Sequence, residues 1–117
     1  MRLVVLAAST LLLAPVAPAV ALDCPAPQPT AKAGILKETP AQIAAVGKTL
    51  AAGDTFNAIA SVTADLRIRY PGVEKAELVN YLITAYCPTV AANNRLSEAQ
   101  KKSAVDNFAA QVMRQVY

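Results

Sequence analysis

Residues 78–87 read LVNYLITAYC, ten positions without a charge whose apolar side chains fall on most sides of a helical wheel. A helix that is apolar all round must be surrounded by other elements. The stretch therefore predicts the central helix of an all-helical fold, spanning about 73–87. Glu74 and Glu77 lie in its early turns, where the helix dipole favours an acid. Pro88, which has no amide hydrogen, is expected to close it. TVAANN (89–94) then reads as a loop or short irregular turn.

On either side of this stretch the signals are helical too. Downstream, SEAQ (97–100) is a capping box. Val105, Phe108, Ala109, Val112 and Val116 follow on one face, with Lys101, Lys102, Asp106, Gln111 and Arg114 largely off it. Upstream, TPAQ (39–42) is a second capping box with proline at the favoured first position. Ile43, Val46 and Leu50 form the stripe behind it, Gly53 stops that helix, and Asp54 caps the next. There Phe56, Ile59, Thr63, Leu66 and Tyr70 recur at steps of three and four until YPG (70–72) ends the run. No stretch alternates with a period of two, and no internal repeat occurs.

The expectation is an all-α, small four-helix bundle. Its helices cover about 40–52, 55–69, 73–87 and 98–116, in a single helical domain over 39–117. Its core should be thin, because residues 22–117 hold no tryptophan, two phenylalanines and 19 alanines, and alanine buries little apolar area.

The first residues read as a signal peptide. Arg2 is the positive start, LVVLAASTLLLA (3–14) the apolar segment, and PVAPAVA (15–21) a stretch of small residues. Ala19 and Ala21 stand three and one residues before the expected cut. The apolar run is shorter than the roughly 20 residues a bilayer core needs, and Pro15 and Pro18 interrupt it. No stable membrane insertion is expected after cleavage, and the protein is expected to be periplasmic or secreted. Loss of Arg2 takes the net charge from +3 to about +2. So weak a balance gives no case for nucleic acid. Residues 22–38 then form a Pro-rich arm, with DCPAPQPT (23–30) too rich in proline to fold alone.

Cys24 and Cys87 are the two cysteines. Asp23 places a charge where a lipoprotein cleavage site needs small uncharged residues. With no histidine and no CxxC spacing, neither a metal site nor a c-type haem is expected. In an exported chain two such thiols predict a Cys24–Cys87 disulfide.

Catalysis by histidine is excluded by composition. Ser61, Ser97 and Ser103 read as surface or capping residues, and the four glycines are too scattered for a phosphate loop. No catalytic residue, cofactor or metal is expected. The most pointed polar cluster is LRIRYPG (66–72), where Arg67, Arg69 and Tyr70 are the candidate contact for a partner or an anion. The plainer explanation is that the two cations complement a helix C-terminus. Tyr81 and Tyr86 read as core residues with hydrogen-bonded hydroxyls.

The segment LVNYLITAYCPTVAANNRLSEAQKKSAVDNFAAQV (78–112) runs an apolar helix into a cysteine, then a polar loop, then an amphipathic helix. In this layout it resembles the small periplasmic acid-stress chaperones of the HdeA and HdeB type, which are short, exported, all-helical and closed by one disulfide. It carries no diagnostic motif, and here the first cysteine precedes three prolines rather than opening a helix. The resemblance implies a non-enzymatic, stress-responsive binder of unfolded clients. The alternative is a structural module docking on an envelope protein partner.

Overall fold

The computed structural model describes residues 22–25 and 36–117. The leader expected over 1–21 and the prolines of the arm beyond Pro25 lie outside the described residues. Four helices form the fold: α1 (Pro40–Ala51), α2 (Thr55–Arg69), α3 (Lys75–Ala91) and α4 (Glu98–Val116). Among the described residues there is no strand.

Three of the four N-termini are built by side chains the sequence marks. Thr39 Oγ1 accepts from the Gln42 amide at 3.2 Å while Gln42 Oε1 accepts from the Thr39 amide at 2.7 Å. Ser97 and Gln100 repeat the exchange at α4. Asp54 Oδ1 accepts from the Phe56 amide at 2.9 Å. Each such cap contributes about 1 kcal/mol. Between α1 and α2, Gly53 takes φ 71°, a left-handed value that glycine adopts without strain.

α3 departs from the expected 73–87 at both ends. It starts at Lys75, and Glu74 is an N-cap that makes no side-chain cap bond. Val73 instead belongs to the turn, its amide donating to the Tyr70 carbonyl at 3.1 Å. At the other end Pro88 does not stop the helix, which runs on to Ala91 and takes in residues expected to be loop. A proline inside a helix leaves the carbonyl four residues back, here that of Thr84, without its amide partner. The turn persists because its surroundings hold it. Thr89 Oγ1 donates to the Tyr86 carbonyl at 2.6 Å, the Ala92 amide donates to the Pro88 carbonyl at 3.0 Å, and Lys101 Nζ donates to the Ala91 carbonyl at 2.9 Å. Val90 is buried in the same turn.

α3 packs chiefly on α1 and α4, while α2 rests on α1 and α4 and touches α3 lightly; α1 and α4 do not meet. The helix read as central is thus flanked on two sides, and seven of its residues are buried. Leu50 of α1, Ile59 and Leu66 of α2, Leu78 and Leu82 of α3 and Val112 of α4 are wholly inside. Close approach of α1 to α3 depends on Gly47, where a Cβ would run into the Ala85 carbonyl and press on Thr89 Cγ2. Phe56 leaves the expected α2 stripe and is 61% exposed. α4 meets that turn with Gln115, whose Nε2 donates to the Phe56 carbonyl at 3.2 Å.

Cys24 and Cys87 form a disulfide with Cα atoms 5.6 Å apart across 63 residues of sequence. It ties the N-terminal segment to α3 at the turn holding Pro88. A loop of that length restricts the unfolded chain by roughly 4 kcal/mol in the chain-entropy treatment.

Candidate functional site

The C-terminal end of α2 gathers the polar side chains that the sequence singles out. Asp65 and Arg69 are one turn apart on an exposed face, and Arg69 Nε donates to Asp65 Oδ2 at 2.9 Å. The same guanidinium reaches out of its helix, and one Nη donates to Glu38 Oε1 at 2.6 Å. Arg69 also stands over the Tyr70 ring, 5.5 Å from its centroid. The Tyr70 hydroxyl donates to the Lys37 carbonyl at 3.1 Å. Two neighbouring residues of α2's end therefore grip two neighbouring residues of the segment that leads into α1. Leu36, just before them, packs on the core.

The grip is asymmetric in its exposure. The Arg69 side chain is 40% exposed, whereas that of Glu38 is 1% exposed. Hydrogen bonds to Glu38 first and Asp65 second hold the guanidinium firmly in its charged form. Among the described residues Glu38 Oε2 is buried without a partner, and so is the hydroxyl of Tyr81 on α3, which the sequence leads one to expect hydrogen-bonded. Burial first, and then the charge of Glu38, pushes the Tyr81 hydroxyl up to about 12. An unpaired buried oxygen costs about 1–3 kcal/mol, so the clasp fixes position without being fully satisfied.

Of the three candidate contacts, the structure brings Arg69 and Tyr70 together over residues 37 and 38. Arg67 is exposed and makes no ion pair among the described residues. Ile68 between them is 78% exposed. Tyr86 stacks on Phe108 with ring centroids 3.9 Å apart, and burial raises its hydroxyl. The Asp65–Arg69 pair had a sequence signal in its i,i+4 spacing. Glu38 had none, because its partner lies 31 residues away.

The surface of the described residues carries shallow depressions, and two of them border the helices named above. One of about 300 Å³ runs between α1 and α3 beside the disulfide, with Pro25, Pro40, Ile43, Ala44 and Pro88 on its walls and Lys48 at its edge. The other, of about 430 Å³, lies between the start of α2 and the end of α4, where Asp54, Gln111 and Arg114 give it polar walls. A third polar cluster joins the N-terminal segment to α4. Glu98 Oε2 accepts from the Leu22 amide at 3.1 Å, and Lys101 Nζ donates to Glu98 Oε1 at 3.3 Å. Those two bonds, that of Leu22 foremost, hold the Glu98 carboxyl below its usual range. Lys101, expected off the apolar face, is only 8% exposed because its ammonium is drawn in to the end of α3.

Among the described residues no group of three or more histidine, cysteine, aspartate or glutamate side chains is placed to hold a metal, and no helix is long and apolar enough to cross a membrane. No family model, curated protein or solved structure matches the chain.

Proposed function

We propose that this chain is an exported, non-enzymatic binding protein whose apolar helix faces become available when acid loosens it, with unfolded clients as its targets. The observation that carries the proposal is the clasp of Glu38, Asp65 and Arg69. It fastens the segment leading into α1 over a core built largely of leucine and valine, with Ala85 the one buried alanine among the described residues, and its ion pairs exist only while both acids are carboxylates. The second fastening, at Glu98, has a defined sign. Its folded-state value is depressed, so its stabilisation is present above the ordinary carboxylate range and is lost as the pH falls through the lower folded value. Acidification toward pH 2–3 takes negative charge from the chain's eight acidic residues while every lysine and arginine keeps its charge. Self-repulsion then adds to the loss of both fastenings. With no histidine, little changes between pH 7 and 5.

The test is to acidify the oxidised protein in steps while following an apolar dye and the aggregation of an acid-sensitive client. Dye binding and client protection should both appear below about pH 4 and be absent at pH 5–7. Silence in both at pH 2–3 rejects the proposal.

One observation favours a docking role at neutral pH. Ile68, 78% exposed, stands beside the exposed Arg67, an apolar anchor next to a cation that makes no ion pair among the described residues. Affinity capture from periplasmic extract should then return one envelope protein with the natural chain and lose it with Arg67→Glu plus Ile68→Ala. Equal recovery with both chains rejects this surface.

A further inference from the structure

We infer that the chain carries a built receptor for its own processed N-terminus: cutting between Ala21 and Leu22 creates an ammonium group that Glu98 holds. The inference rests on export and leader removal as proposed above, and adds a site to it. Leu22 is the first residue after the Ala19-x-Ala21 pattern, and its backbone nitrogen stands 3.1 Å from Glu98 Oε2. Two features make this position fixed rather than accidental. Cys24, two residues on, is bonded to Cys87 of α3, so the chain end has little room to wander. Glu98 is itself oriented, because its other oxygen accepts from Lys101 Nζ, which is anchored in turn on the Ala91 carbonyl.

Hydrolysis of the Ala21–Leu22 bond consumes one water, with a leader peptidase as catalyst. The leader departs with a carboxylate on Ala21, and the Leu22 nitrogen becomes an amine that is protonated at neutral pH. Before the cut Glu98 receives a neutral amide donor. Afterwards it faces a cation with three donors, and charge-assisted bonds of this kind are roughly twice as strong as neutral ones. Glu98 is in contact with the new ammonium; Lys101 of α4 binds the other oxygen of Glu98 and the Ala91 carbonyl of α3, and the exposed Asp23 is the next residue of the chain. Glu98 is the one acid among them bonded to the Leu22 nitrogen. Processing thus completes the contact between the arm and α4, and the uncut precursor lacks the charged half of it.

The experiment uses protein whose first residue is Leu22, released from a fusion, and follows the α-amino group by NMR titration. It should titrate above the usual 7.7–8.0 of an α-amino group, stay raised in Asp23→Asn, and return to the usual range in Glu98→Gln. Acetylating the α-amino group should lower the folded-to-unfolded ratio about twofold to fivefold in the natural sequence and leave it unchanged in Glu98→Gln. An α-amino group that titrates in its ordinary range in the natural sequence overturns the inference, whether or not Glu98→Gln folds. Intact mass of the exported protein separates the two proposals. A mature chain starting at Leu22 with an unperturbed amine, or one starting at another residue, removes the receptor and leaves export standing, whereas an uncut chain removes both.

Discussion

Arg67 and Arg69 differ by one position in LRIRYPG, yet only Arg69 is held, by Glu38 from another segment and by Asp65 from its own helix. Arg69→Met would leave the Glu38 carboxylate buried with neither oxygen paired. Allowing for the half-exposed guanidinium, the expected loss is about 1–2 kcal/mol. Arg67→Met should stay within about 0.5 kcal/mol. Urea unfolding of the two variants side by side checks this, and equal midpoints would mean the clasp contributes nothing. Gly47 poses a conflict of magnitudes at the same scale. Alanine there gains about 1 kcal/mol of helix propensity, but its Cβ meets a backbone carbonyl that cannot rotate away. Overpacking of that kind costs about 1–3 kcal/mol, so Gly47→Ala should lower the urea midpoint. A rise would show that α1 and α3 can separate freely.

Among the elements, α3 decides the architecture and is also the one whose limits the sequence misplaces. Its apolar circumference is local information, and burial on two sides follows from it. Its end is different: Pro88 reads as a stop because a proline within a helix costs about 3 kcal/mol. The helix continues because Lys101 of α4, Val90 and the disulfide hold the following turn. Pro88→Ala should therefore raise stability by about 1–3 kcal/mol, by restoring an amide for the Thr84 carbonyl. Unchanged or lowered thermal stability would mean that the proline fits its turn without penalty. The capping boxes at Thr39 and Ser97, by contrast, need only three-residue spacings and stand where the sequence puts them.

For the whole molecule, the disulfide acts across 63 residues and outweighs any single contact. Cys24→Ser with Cys87→Ser should lower unfolding free energy by roughly 4 kcal/mol. Helices at 25 °C should survive, since a small domain holds about 5–15 kcal/mol. Circular dichroism with thermal melts reads both quantities. A midpoint that does not move would mean the N-terminal segment is an ornament on an independent bundle. The pairing itself was legible from two cysteines and an export-like start. The clasp was not, because Glu38 carries no local mark of a partner that only folding brings near.

Helix number, three of the four N-terminal caps, the buried faces apart from Phe56 and Lys101, and the pairing of the cysteines follow from the order of residues alone, because each depends on side-chain type at short periodic spacings or on simple elimination. Tertiary packing decided which arginine is engaged, why Gly47 must stay small, how far α3 runs beyond its proline and where Leu22 meets Glu98. Those outcomes depend on distances between segments far apart in sequence, and no local pattern encodes them.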